Sequence, residues 1–250
     1  MSTGTPIPVA LQRAMALLAD PPREPDVRRG YLDLLDTDPS DEALPTNGGV
    51  IQALWASGLG SMLYDSSQAA IRWLASSARA PISWLDLPAG GVAVDVGSGP
   101  GNVTAALAAA AGPDGLALGV DISQAMLTRA VRAVASPTVG FIRADARRLP
   151  MREDIAHGVV SLAALQLIPD PSVALAEMVR ILRPRGRLAV MVPTLRGGVI
   201  ERLFRLLPNS GGAHFFAEDE IADIVEQQGL ARVRVRRYGP VQWVQGHKPA

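Results

Sequence analysis

Cysteine is absent from the 250 residues, which removes disulfides, thiolate metal ligands and a cysteine nucleophile together. Lysine is nearly absent. Lys248 is the one lysine and every other basic side chain is arginine, a pattern that reads as coding bias rather than chemistry. Neither sign of charge is in excess, because 24 basic residues balance 24 acidic ones, so affinity built mainly on phosphate neutralisation is not expected; a local basic patch stays open. No apolar run is long enough to span a membrane. The most apolar stretch, residues 103–111, falls well short of the ~20 residues a span requires. An apolar substrate mouth would still allow peripheral contact with a membrane. Residues 1–20 lack the basic start, apolar core and small-residue site of a signal peptide, so a cytoplasmic protein is expected. Internal repeats and long low-complexity linkers are also missing, and the length suits one doubly wound domain with a helical extension.

What is present is concentrated in Val92-Ala-Val-Asp-Val-Gly-Ser-Gly-Pro-Gly101. Val92, Val94 and Val96 form the continuous apolar run of a strand buried on both faces. Gly97, Gly99 and Gly101 permit positive φ and close approach of a ligand, and residues 102–111 can begin a helix whose free N–H groups face that ligand. A tight strand-to-helix connection without a ligand is the plainer alternative for the glycines alone. A dinucleotide fingerprint would need Gly or Ala at position 102, where this chain has Asn102. The pattern is DxGxGxG, with Asp95 two residues before the first glycine, and here the sequence resembles the class I S-adenosylmethionine-dependent methyltransferases.

Two further strand ends follow in order. Leu116-Ala-Leu-Gly-Val-Asp121 ends in a carboxylate suited to accept from both ribose hydroxyls, and it could equally cap the helix beginning at Ser123. The resemblance assigns Asp121 to the ribose and Ile122 to packing on adenine. Phe141 and Ile142 then lead to Asp145, the family's adenine-edge position, where the Asp145 carboxylate would accept from the adenine amino group and the Ala146 N–H would donate to a ring nitrogen. At the fourth strand, residues 157–162, His157 stands where the family usually has Asp, and Gln166 stands near a position that often carries histidine. The turn Arg183-Pro-Arg-Gly186 between a helix and a fifth strand is characteristic of the family; Pro184 stops the helix and Gly186 supplies the turn. The resemblance extends over residues 66–245 and runs to the ubiquinone and menaquinone biosynthesis type.

Before this domain the texture changes. Residues 8–19 and 27–35 are read as helices, 36–47 as an acidic loop, and 49–57 and 66–77 as further helices. An N-terminal helical cap over the cofactor end is expected for residues 1–65, with the methyltransferase domain in 66–250. Tyr64, in a Tyr64-Asp65 pair similar to one in quinone-type enzymes, is a candidate for closing the site near the methionine end, or an amphipathic surface tyrosine. Trp55, Trp73 and Trp84 are candidates for an apolar pocket or for the core. Residues 218–229 read as an amphipathic helix with a glycine C-cap, and Val233 and Val235, alternating with Arg232, Arg234 and Arg236, as a strand that pairs with residues 241–244 in the antiparallel hairpin closing the family's sheet. A solvated basic face explains those arginines better than RNA contact.

The expected architecture is therefore α/β: a Rossmann-like, doubly wound, seven-stranded sheet, mostly parallel, with that C-terminal hairpin and the N-terminal cap. The resemblance implies S-adenosyl-L-methionine as cofactor, held by Tyr64, Asp95, Gly97, Ser98, Gly99, Gly101, Asp121, Ile122, Asp145 and Ala146, with no metal assigned. His214, in the variable segment after strand five, is the candidate general base, and a loop histidine without that role is the alternative. The expected function is methyl transfer to a small-molecule acceptor such as a lipid, quinone or secondary metabolite. The alternatives are a nucleic-acid or protein methyltransferase, a non-catalytic cofactor-binding scaffold of the same fold, and an NAD oxidoreductase, which Asn102 disfavours.

Overall fold

The computed structural model describes residues 6–35, 79–193, 216–238 and 241–250. In chain order the elements are α1 (Val9–Met15), β1 (Leu32–Asp33), α2 (Arg79–Leu85), β2 (Val92–Val96), α3 (Asn102–Ala111), β3 (Leu116–Asp121), α4 (Gln124–Val134) and β4 (Val139–Arg143). Then come β5 (Ala156–Leu162), a 3₁₀ turn at Leu165–Leu167, α5 (Pro171–Ile181), β6 (Leu182–Pro193), α6 (Glu220–Gln227), β7 (Ala231–Tyr238) and β8 (Val241–His247).

The strands form one sheet in the order β1-β4-β3-β2-β5-β6-β8-β7. β1 through β6 run parallel, and β8 is antiparallel to both β6 and β7. Eight strands replace the expected seven; β1 is the addition, at the edge beside β4. The strand order reverses at β2, since β3 follows on one side and β5 lies on the other, and open α/β sheets bind ligands outside the carboxyl ends at such a point.

The sequence alternation explains how helices cover both faces. Val94, Val96, Leu118, Val120, Ile142, Val159, Val190 and Val192 point to one face, where α1, α5 and α6 pack. Ala93, Ala117, Phe141, Val160 and Ala189 point to the other, where α2, α3 and α4 pack. Small strand residues on this second face let the alanine-rich α3 sit close, with Leu107 and Ala108 in the core. Gly101, at φ +82, is part of the same fit: a Cβ there would lie 2.7 Å from the Phe141 ring and 2.9 Å from Val134.

Residues 6–35 are part of this sheet. α1 lies against β3 and β4 with Ala10, Leu11 and Ala14 buried, and residues 16–19 after it run beside the connection from β4 to β5, which has no helix of its own. The Ala19 N–H donates to the Pro150 carbonyl and the Arg152 N–H to the Leu17 carbonyl, stitching the two segments together. The helix expected over residues 27–35 is not formed. That segment places Val27, Tyr31 and Leu32 in the core and supplies β1, because pairing with β4 satisfies its backbone. Residues 36–78, including the remainder of the expected cap, lie outside the described residues.

Candidate functional site

The carboxyl ends of β2 and β3 meet through backbone hydrogen bonds. The N–H groups of Gly97 and Ser98 both donate to the Val120 carbonyl, at 2.8 and 3.1 Å, so the turn after β2 is pulled over the end of β3. Asp121 holds it from the other side. One carboxylate oxygen accepts from the Gly99 N–H and the other from the Ser123 N–H, each at 2.8 Å. The same side chain thus fixes the glycine turn and the start of α4, where the Ser123 hydroxyl caps the Met126 N–H. Each carboxylate oxygen has a second lone pair for a ribose hydroxyl. Burial pushes the Asp121 pKa up, while the hydrogen bonds from Ser123 and Gly99 oppose that shift.

The three glycines are not equivalent. A Cβ on Gly97, at φ +75, would lie 2.2 Å from the Ala164 Cβ, so Gly97 lets the turn after β5 close on the turn after β2. Gly101 serves helix packing. At Gly99, φ +51, an added Cβ would meet nothing within 4 Å; here bare backbone borders open space. Next to that space Ile122 stands 46% exposed, an apolar platform at a strand end otherwise made of polar groups. Side-chain-free backbone beside a carboxylate with spare lone pairs and an exposed aliphatic side chain fits an adenosine moiety.

Asp95 lies beneath the turn. It is 1% exposed, and its carboxylate accepts from the Thr104 hydroxyl at 2.7 Å on the first turn of α3. Burial pushes its pKa up to about 7, the hydrogen bond from Thr104 opposes the rise, and the Asp121 charge adds to it. Thr104 is not among the residues expected from the sequence; its signal is a hydroxyl in the first turn of α3, on the face directed at β2. Ser98 is buried and packs over Gly119, with its hydroxyl unpartnered.

The third strand end is more committed to its own loop than expected. Arg147 grips the Asp145 carboxylate through Nε and Nη2, at 3.0 and 2.6 Å, and the Arg147 N–H donates to it as well. Burial alone would raise the Asp145 pKa; the hydrogen bonds from Arg147 bring it below the ordinary carboxylate value. An adenine amino group would therefore share this carboxylate with Arg147. The exit of the loop is clamped from α5: Glu177 accepts from the Leu149 N–H, and Arg180 donates to the carbonyls of Leu149 and Met151 while paired with Glu177 at 2.6 Å. Nothing short-range in the sequence marks that clamp.

After β5, Ala163 takes φ +55 and Gln166 donates to the Ala163 carbonyl at 2.6 Å, leaving its own side-chain oxygen buried and unpartnered. His157 sits at the opposite end of β5. Its Nδ1 accepts from the Val92 N–H at 3.0 Å, and the Arg183 guanidinium lies 2.6 Å from Nε2. Burial first, and the Arg183 charge second, lower the His157 pKa and keep the ring neutral. Trp84 is likewise remote from the strand carboxyl ends, with the Arg187 guanidinium 5.5 Å above its ring. Tyr64, Trp55, Trp73 and His214 lie outside the described residues. Among the described residues no cluster of three or more His, Cys, Asp or Glu is arranged to hold a metal ion, and no helix is long and apolar enough to cross a membrane.

Comparison with known proteins agrees with this geometry. Residues 94–190 match the family model described as a methyltransferase domain. The chain is 33% identical over 111 residues to a 2-phytyl-1,4-naphtoquinone methyltransferase of Thermosynechococcus vestitus, covering 44% of this chain and 49% of that protein. It is 29% identical over 179 residues to a demethylmenaquinone methyltransferase of Bacillus cereus, covering 62% and 76%. The first two curated relatives are matched over only 32% and 49% of their length. Among solved structures, a Haemonchus contortus phosphoethanolamine N-methyltransferase in complex with S-adenosylhomocysteine superimposes with a TM-score of 0.58 at 17% identity, covering 66% of this chain and 50% of that one; this likeness speaks to the fold. In the matched segment the chain is similar to methyltransferase domains, and its fold is like that of the solved methyltransferase. Among curated proteins, the likeness includes methyltransferases named for quinone substrates.

Proposed function

We propose that this protein transfers the methyl group of S-adenosylmethionine to a small-molecule acceptor, of the lipid, quinone or secondary-metabolite kind. The observation that carries the reading is the Gly99–Asp121 hydrogen bond, which joins the glycine turn and the acidic strand end around an open space floored by bare backbone and flanked by exposed Ile122. The bound cofactor supplies an activated methyl on a sulfonium, so the hard chemistry is its own. The chain's residues bind, orient and exclude water. Asp121 would hold the ribose, Ile122 would cover adenine, Asp145 and Ala146 would meet the adenine edge, and Gly97, Ser98, Gly99 and Gly101 would receive the amino-acid portion along the turn above Asp95. Tyr64 is proposed to close the methionine end. The acceptor is then aligned in line with the methyl group, and an acceptor that must lose a proton would give it to His214, proposed on sequence position alone. The small-molecule acceptor is supported by the quinone substrates in the relatives' names.

Calorimetric titration with S-adenosylmethionine, S-adenosylhomocysteine and NAD in parallel tests the cofactor. Micromolar binding of the first two without NAD is expected, and binding of NAD alone would overturn the reading. In the Asp121→Ala variant, cofactor binding should weaken by ~1–3 kcal/mol, the cost of losing a buried acceptor of several hydrogen bonds.

A further inference from the structure

Strand β1 is two residues long, yet it brings a carboxylate to the rim of the cofactor end. Leu32 fills the core, and Asp33, next along, faces Arg143 on β4; their side chains are 9% and 13% exposed. Arg143 Nη1 lies 3.3 and 3.2 Å from the two Asp33 oxygens, and Arg29 approaches the same carboxylate at 3.6 Å. The other edge of the Arg143 guanidinium goes elsewhere. Its Nε donates to the Ile122 carbonyl at 3.1 Å, in the turn between Asp121 and Ser123.

The ion pair is not needed to attach β1, because the Leu34 N–H already donates to the Arg143 carbonyl at 3.0 Å beside the strand pairing. What Asp33 adds is a fixed orientation for a guanidinium whose second edge grips the site. A planar fork held at one edge is pre-organised at the other. We propose that Asp33 is a positioning residue for the nucleoside end of the site: through Arg143 it holds the Ile122 carbonyl, and so keeps the turn 121–123 where Asp121 reaches the Gly99 amide. The proposal rests on the cofactor reading above. It makes the N-terminal segment part of the binding apparatus, although none of its described residues is offered as a contact to the cofactor.

The test combines titration of S-adenosylhomocysteine with amide hydrogen exchange at Gly99 and Ser123, whose N–H groups Asp121 receives. Asp33→Ala should raise the Kd for S-adenosylhomocysteine about three- to tenfold, as expected for weakening one ordinary hydrogen bond. It should also speed exchange at both amides, while Asp33→Glu restores most of each effect. Combined with Arg143→Met, Asp33→Ala should add nothing, since both act through one contact. An unchanged Kd with unchanged exchange in the folded variant, or full additivity with Arg143→Met, would overturn the proposal. If the native protein takes up no S-adenosylhomocysteine, the cofactor reading fails, and exchange at Gly99 and Ser123 still decides the relay: unchanged rates refute it and faster rates support it. Should Asp33→Ala not fold, the isosteric Asp33→Asn is measured in the same way.

Discussion

At the carboxyl ends of β2 and β3, Asp121 accepts from two backbone amides and still borders open space, Ile122 is exposed, and a buried hydroxyl on Ser98 goes unpartnered. At the amino ends of β2, β5 and β6 the polar groups are used up on the fold itself. His157 receives the Val92 amide, Arg187 donates to the Trp84 carbonyl and pairs with Asp86, and Lys248 Nζ donates to the carbonyls of Leu182 and Val179 and to Asp154. Charge is plentiful at both ends. What distinguishes a site from a structural joint is spare hydrogen-bonding capacity beside open space, and among the described residues Asp121 and Gly99 at the carboxyl end combine the two.

The sharpest way to probe that contrast is through Asp95, the buried carboxylate under the glycine turn. Its pKa in the folded protein is raised from 3.8 to about 7. Between those two values the native state retains a proton that the unfolded chain has released, so stability falls as pH rises through the window and the loss is complete above about pH 7. At about 1.4 kcal/mol per pH unit, this amounts to up to roughly 4 kcal/mol. Asp95→Asn, which keeps an acceptor for Thr104 without a charge, should flatten the decline. Its melting temperature relative to native should rise from pH 4 to about pH 7 and level off above that; a constant difference would show that Asp95 does not titrate in that range.

Gly97→Ala comes next. A Cβ 2.2 Å from Ala164, on backbone at φ +75, forces the turns after β2 and β5 apart. The left-handed backbone costs ~1–2 kcal/mol and the overlap adds ~1–3 kcal/mol, so a loss of about 3 kcal/mol in denaturant unfolding is expected.

Much of the carboxyl end could be read from sequence because its determinants are local. The strand-glycine-helix junction at residues 92–111, the carboxylate ending β3, and the C-terminal hairpin each show themselves within about twenty residues, and all appear in the fold. Contacts that span the chain left no such trace. The pairing of Asp33 with Arg143 joins positions 110 residues apart, and the Glu177 bond to Leu149 crosses 28. β1 failed as a sequence assignment because two residues are too few to display an alternation, and only β4 makes the segment extended. In the sequence Lys248 stands out only as an oddity of composition. In the structure its ammonium serves the last carbonyls of α5, a cluster of acceptors at a helix C-terminus that suits a compact cation. For the acceptor end the candidates Tyr64 and His214 rest on sequence alone.

Lys248→Ala should therefore be a pure fold lesion. Removing a cation from the end of α5 and leaving its carbonyls to water should cost about 1–2 kcal/mol. The Kd for S-adenosylhomocysteine should stay within error of native, because the lesion lies at the amino end of the sheet; a weakened Kd would show that the two ends are coupled.

Gly99→Ala should have the smallest effect on stability, and it inverts the Lys248 result. The left-handed backbone at φ +51 costs an alanine about 1 kcal/mol, and the new methyl meets nothing within 4 Å of the unliganded protein. That methyl would project into the space assigned to the cofactor, so binding of S-adenosylhomocysteine should be lost almost entirely while the unfolding midpoint barely moves. Gly97→Ala would lose stability through contact with Ala164, two residues away from a position where the same methyl is tolerated until a ligand arrives. Normal binding by a folded Gly99→Ala protein would mean that the open space beside Asp121 is not where the cofactor lies.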